Sequence, residues 1–307
     1  MPSDFPGRII YVPGKDPKPD PMLHRALLWR ALQTGLTAAQ PACAAALDGE
    51  SFAIAPWNHL YYPDFGHSTP NFEAIERLLA GDWDAQKDQR ESESWRVKVQ
   101  LAVRNLADRF PLLLKLVSDQ KVKDIIAETD RYFDKNEGIG REIRETLKAP
   151  LRRWFGEGRP VMVLGHSLGS VIAWDALWEL THEEHLVGKL EFVSMGSPLG
   201  IRFVQQRLRG HDRVGADRFP HLIESWHNIA AIGDLISLDP RLSRDFAPMR
   251  ELGLVEEITD YFQGIFTHYR DEDVGLNPHR SYGYLIHPVV AARVAAWWWR
   301  HRQTASQ

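Results

Sequence analysis

Residues 159–180 read RPVMVLGHSLGSVIAWDALWEL, and the serine in the middle, Ser167, has the setting of a nucleophile. A short apolar run, VMVLG, leads into it, and a long apolar segment of helical character follows. A strand that passes directly into a helix strains the backbone at the turn and projects that residue's side chain outward. Side chains two positions to either side would collide with such a turn, so Gly165 and Gly169 flank the serine in Gly165-His166-Ser167-Leu168-Gly169. Alone the pattern is weak, because roughly one chain in ten of this length carries G-x-S-x-G by chance. Its place between strand and helix raises it. A helix beginning at Leu168 also turns that residue's N–H towards developing negative charge. The bland alternative is a Gly-Ser helix start used only for capping.

A serine hydroxyl at neutral pH needs a base, and the base needs an acid to orient it. In strand–helix sheets with this turn the acid and then the histidine follow the serine along the chain. The segment SWHNIAAIGDLISLDP offers Asp234, which follows an apolar strand and Gly233, and Asp239, which precedes Pro240. Asp234 is favoured, since Asp239 reads as an ordinary Asp-Pro turn. Asp245, Asp271 and Asp273 are weaker, as residues of surface loops. For the base, His279 in GLNPHRSYGYL is favoured over His287, which adjoins Pro288 and suits the start of the last helix; His268 is third. His166, beside the nucleophile, is expected to point away from it and pack nearby. A second oxyanion donor is expected from the loop after the first strand. There Gly14 permits close approach and the Lys15 N–H is the candidate donor, with a simple turn as the alternative.

The elements that must position these residues are legible as periodicities. RIIYV (8–12), SFAIA (51–55), VMVLG (161–165), LEFVSMGSP (190–198) and LIESWHNIAAIGD (222–234) carry strand signals. LHRALLWRALQTGL, with Gly35 near its end, SVIAWDALWEL, and HPVVAARVAAWWWRHR, with Pro288 in its first turn, carry helix signals. Strands alternating with helices predict an α/β fold, with a mostly parallel central sheet and right-handed crossovers. Residues 70–155 have only helical periods and predict an insertion, or lid, within a single domain spanning 1–307. The apolar stripe Leu112, Leu113, Leu114, Leu116 and Val117 in it suits packing on the sheet more than an acyl pocket. In Trp297-Trp298-Trp299, two rings are expected to be buried, with Arg300 and Arg302 solvated. The aromatic stretch WNHLYYPDF (57–65) suits a pocket wall or surface packing equally.

Composition bounds the rest. With 307 residues, 44% hydrophobic and 25% charged, the chain is an ordinary globular one with a sizeable core. A formal net charge of −4 and the lack of a basic stripe argue against nucleic acid. Cys43 is the single cysteine, so no intrachain disulfide and no cysteine-based metal site is expected. The opening MPSDFPGRIIYVPG lacks the pattern of a signal peptide, and no stretch approaches the roughly 20 apolar residues of a membrane helix. A cytoplasmic location without membrane contact is expected. Oligomeric state leaves no mark in the sequence.

YVPG (11–14), GHSLG (165–169) and FVSMGSPLG (192–200), followed by NIAAIGDLIS and NPHRSYGYL, together resemble serine hydrolases of the α/β-hydrolase superfamily, the lipase-like and esterase-like branch in particular. Both ends of the chain carry the resemblance, but residues 70–155 do not, and Pro13 stands where many relatives have histidine. It implies a mostly eight-stranded parallel sheet flanked by helices and acyl-enzyme chemistry on a small-molecule acyl substrate. Ser167 would then be the nucleophile, His279 the base and Asp234 the acid, with no metal or organic cofactor. Carboxylic-ester hydrolysis is the expected reaction. Acyl transfer, thioester cleavage or amide cleavage by the same residues, or a non-catalytic scaffold, are the alternatives.

Overall fold

A computed structural model of the protein describes residues 7–94, 131–134, 138–237, 239–272 and 275–304. One sheet contains β1 (Arg8–Val12), β2 (Phe52–Ile54), β3 (Val161–His166), β4 (Leu190–Met195), β5 (Ile223–Ile229) and β6 (Glu257–Tyr261). Their order is β2-β1-β3-β4-β5-β6 and every neighbouring pair is parallel. The fold is therefore the expected α/β class. This sheet has six strands among the described residues, fewer than the eight the resemblance implied; Arg270–Asp271 and Gly275–Leu276 form a separate antiparallel pair.

Parallel strands covered on both faces read as continuous apolar runs. Their side chains sort onto two cores by alternation. Ile9 and Tyr11 of β1, Met162 and Leu164 of β3, and Val193 and Met195 of β4 share one core with α1 (Pro21–Ala39). Ile10, Val12, Val161, Val163 and Phe192 share the other. Gly35, expected near the end of α1, lies inside it. A Cβ there would stand 2.8 Å from the Ile286 carbonyl oxygen, so the glycine lets two backbones touch.

The segment expected as a helical insertion begins with α2 (Phe72–Ala80) and α3 (Ala85–Ser92) and ends with α4 (Ile139–Gly156). Ile143, Leu147, Leu151 and Trp154 of α4 are buried in the same core as β1 and β3. That helix thus flanks the sheet as the β2-to-β3 crossover. Leu112, Leu113, Leu114, Leu116 and Val117 lie outside the described residues. Helix α5 (Leu168–His182) is buried at every position from Leu168 to Leu180, as an apolar helix inside a core must be.

Two C-terminal helices, α6 (Ser281–Leu285) and α7 (Pro288–Thr304), complete the α1 side. Trp297 and Trp298 are buried and Trp299 is exposed, as the sequence suggests. Arg300 and Arg302 are exposed, as expected, and Arg300 Nη1 also lies 2.7 Å from the Glu191 carboxylate, which is buried on β4. Among the described residues no helix is long and apolar enough to cross a membrane.

The chain direction sets the place of the site. The helix after β1 covers one face of the sheet and the helix after β3 covers the other. Between the carboxyl ends of β1 and β3 the loops therefore part, leaving the crevice where open α/β sheets bind ligands.

Candidate active site

Ser167 stands at that crevice, between β3 and α5, with φ 54° and ψ −129°. Such a backbone costs a non-glycine residue about 1–3 kcal/mol and persists only where its surroundings over-determine it. Here they do. The Ser167 N–H donates to the Met195 carbonyl at 3.0 Å, and the Ser167 carbonyl accepts from the Ser170 N–H at 3.0 Å and the Ser170 hydroxyl at 2.6 Å. A Cβ at Gly169 would drive into the Val12 and Pro13 carbonyl oxygens, so the first turn of α5 seats directly on the end of β1. Gly165 is equally tight, with Ser170 Cα 2.8 Å from where its Cβ would be.

His279 lies in the loop before α6 and brings its ring across the strand ends. Its Nε2 is 2.9 Å from Ser167 Oγ, and its Nδ1 is 2.9 Å from both carboxylate oxygens of Asp234. An ionised carboxylate only accepts, so Nδ1 carries the hydrogen and Nε2 offers its lone pair to the serine hydroxyl. Asp234 is buried and lies five residues beyond the end of β5, on a looser turn than a strand running to 234 would give. It also accepts from the Ile236 N–H at 2.8 Å and from the Tyr284 hydroxyl at 2.6 Å. Burial alone would raise its carboxyl, but the His279 imidazole and these donors outweigh it and hold the group well below the ordinary aspartate range. Burial, then the Asp234 charge, pushes the Tyr284 phenol well above its usual range, so it stays a donor.

The neighbouring backbone makes room. Gly196 has φ 54°, and a Cβ there would stand 2.7 Å from Asp234 Oδ2 and 3.0 Å from His279 Nδ1. Gly14 is as close on the other side, where a Cβ would meet Ser167 Cβ at 2.8 Å. His166 points away from the serine and packs beside it, its ring 4.8 Å from that of His279. Its Nε2 lies 2.8 Å from the His279 carbonyl oxygen and must donate to it. Burial and then the His279 imidazole hold His166 well below the usual histidine range, so it is a neutral prop for the His279 main chain.

Two backbone segments adjoin Ser167. The Leu168 N–H, first in α5, has no acceptor among the described residues. The loop from Pro13 to Asp16 lies opposite and is held firmly. Trp57 Nε1 donates to the Pro13 carbonyl at 2.9 Å, and Asn58 Nδ2 donates to the Gly14 and Asp16 carbonyls at 2.8 and 3.0 Å. The Lys15 ammonium pairs with Asp16 at 3.2 Å. In the aromatic stretch 57–65, Trp57, Tyr61 and Tyr62 are buried in the core, Trp57, Asn58 and Tyr62 brace the first loop, and Asn58 and His59 line a cleft beside it.

The other candidates lie elsewhere. Asp239 bonds the Arg241 N–H and Arg244, as an Asp-Pro turn does. Asp245 pairs with Arg244, and Asp271 accepts from Asn277. His287 Nδ1 accepts from the Val289 N–H and caps α7. His268 bonds the buried Asp88 and stacks on Trp83. Asp273 lies outside the described residues. Among the described residues no cluster of histidine, cysteine, aspartate and glutamate could hold a metal ion.

Sequence reasoning misses Tyr284, Gly196, Trp57 and Asn58. A tyrosine or tryptophan in an apolar stretch reads as core, and nothing local says what its polar atom reaches. Gly196 in GSP carried a signal only through the resemblance. No model of a known protein family, no curated protein and no solved structure matches the chain.

Proposed function

We propose that this protein is a serine hydrolase of the α/β-hydrolase superfamily that cleaves a carboxylic ester through an acyl-enzyme intermediate. One observation carries the reading: a single imidazole bridges Ser167 Oγ and the Asp234 carboxylate at 2.9 Å on each side. The strained turn at Ser167 and its place at the sheet's crevice support it further.

The geometry supports the following roles. Ser167 Oγ attacks the acyl carbonyl carbon while His279 Nε2 takes its proton, and the imidazolium that forms is stabilised by Asp234. The Leu168 N–H and a backbone N–H from the Gly14–Lys15 loop receive the oxyanion. Collapse of the tetrahedral intermediate breaks the bond to the alkoxide, which His279 protonates as it leaves. Water then attacks the acyl-serine with the same base, releasing the carboxylic acid and restoring Ser167.

A fluorophosphonate probe tests this directly. Wild type is expected to label once, at Ser167, and Ser167→Ala not at all. Folded wild-type protein that fails to label contradicts the reading.

A further inference from the structure

The chain between β6 and α6 ties the acid and the base together. The Ile265 carbonyl accepts from the Ile232 N–H at 2.8 Å, just before Asp234. Thr267 Oγ1 donates to the Pro278 carbonyl at 3.0 Å, and the Tyr269 carbonyl accepts from the Asn277 N–H at 2.9 Å, both beside His279. Gly283 of α6 packs on the same segment, for a Cβ on it would stand 2.9 Å from Thr267 Cβ. Its neighbour Tyr284 is the donor to Asp234. Residues 265–270 are therefore a common support for both loops and for α6.

Helix α3 grips that support from its other side. Ile265, Thr267 and Tyr269 are buried, while His268 and Arg270 reach Asp88 on α3. His268 Nδ1 and Arg270 Nε each lie 2.9 Å from the Asp88 carboxylate, one on each oxygen. Asp88 is fully buried, so its carboxylate depends on these donors. Arg270 also pairs with Glu91 at 2.6 Å, and the His268 ring lies parallel to that of Trp83, 4.9 Å away. Ser92, one turn along the same face of α3, is buried at the junction of the two loops. A Cβ at Gly233 would stand 3.2 Å from Ser92 Cα and 3.3 Å from Pro278 Cγ. The helix thus abuts the residue before the acid and the residue before the base at one point.

We propose that Asp88 is a positioning residue for the acid–base pair. By fixing His268 and Arg270 it holds the support, and with it the spacing between the Asp234 and His279 loops. It acts through those residues and not on the reacting atoms. The contacts of His279 with Ser167 and Asp234 are both 2.9 Å, and a displacement of about 1 Å at such contacts lowers the rate by on the order of 100-fold. The inference rests on the hydrolase reading and deepens it.

Two readouts test it, on wild type, Asp88→Asn and His268→Phe. Asp88→Asn keeps the size of the side chain and removes its charge; His268→Phe keeps a ring beside Trp83 and loses one donor. The first readout is turnover of p-nitrophenyl butyrate. In Asp88→Asn kcat is expected to fall on the order of 10- to 100-fold with KM within about twofold of wild type, and in His268→Phe to fall less. The second is amide hydrogen exchange. Peptides covering 230–236 and 275–281 are expected to exchange faster in both variants, while β3 stays as protected as in wild type. A kcat within about twofold of wild type in Asp88→Asn overturns the proposal. So does faster exchange in β3 to the same degree as in the two loops, which marks general loss of stability. If Asp88→Asn does not fold, the same two criteria applied to His268→Phe decide. Wild type that neither turns over the ester nor labels with a fluorophosphonate fails the hydrolase reading and this inference with it. An active, labelled wild type whose kcat does not follow Asp88 fails the inference alone.

Discussion

Tyr284→Phe removes one oxygen from the molecule, and the structure says what that oxygen does. The ring is fully buried, so phenylalanine keeps the packing. Two groups lose a partner: Asp234 Oδ2, which accepts from the hydroxyl at 2.6 Å, and the Ala231 N–H, which donates to it at 2.9 Å. A hydrogen bond to a charged acceptor contributes about 1.5–3 kcal/mol, and a buried N–H without an acceptor costs about 1–3 kcal/mol. The two losses share one atom and do not simply add, so about 2–4 kcal/mol is expected at neutral pH. For a chain of this size that lowers Tm by roughly 4–10 °C.

The pH dependence separates this account from lost packing. Asp234 has a folded pKa below its unfolded one. Its stabilisation is therefore complete above the unfolded value, ~3.9, and is lost as the pH falls towards the folded value. Part of that depression comes from the Tyr284 hydroxyl. The gap between wild type and Tyr284→Phe is thus expected to be full at neutral pH and to narrow only below about pH 4, as the pH falls towards the folded values. It does not close, because the Ala231 share does not titrate. Denaturation curves over that range measure the gap. Ester turnover is a second readout: kcat falls about 10-fold or more with KM little changed, because Tyr284 positions the acid without touching substrate. A gap that is constant with pH, or a kcat within about twofold of wild type, would refute the reasoning.

Further substitutions separate the roles of the neighbouring residues. Gly196→Ala puts a methyl 2.7 Å from Asp234 Oδ2 at a positive φ, and a kcat loss of about 100-fold is expected in assays of protein that still melts cooperatively. Asp234→Asn is expected to lower kcat by several orders of magnitude, about 10⁴ where the same exchange in a comparable triad gives the wrong tautomer, whereas Asp239→Asn changes little. His279→Gln is expected to abolish ester turnover, and His287→Gln to lose only the α7 cap, about 1 kcal/mol by thermal denaturation. Glu191 is pushed up to about 7, chiefly by burial, against the pull of Arg300. The native state therefore holds its proton more tightly than the unfolded chain, and stability falls as the pH rises from about 5 to 7. Glu191→Gln is expected to flatten that decline, by on the order of 2 kcal/mol, in denaturation curves taken across the window.

The buried strands could be read because both faces of a parallel sheet demand apolar residues, and RIIYV and VMVLG supply them. Strand β6 could not: at the sheet edge EITDY has only Ile258 buried, so no apolar run marks it. The serine turn was legible because steric demand dictates its two glycines, and chain order narrowed the acid and the base. Asp234 and Asp239 differ in what surrounds them rather than in type, and a tight pocket of Gly196, Tyr284 and the Ile236 amide has no local signature. The bracing of the first loop was hidden for the same reason, since Trp57 and Asn58 reach it across 44 positions of sequence. Helix α4 reads as insertion because an amphipathic helix looks the same whether it covers a sheet or stands apart from it.

Acid-quenched mass spectrometry during turnover of p-nitrophenyl butyrate reads the central claim most directly. Wild type is expected to carry one butyryl group on the peptide containing Ser167, and both Ser167→Ala and His279→Gln to carry none. Turnover that continues in Ser167→Ala, or an acyl group found on another residue, contradicts the account.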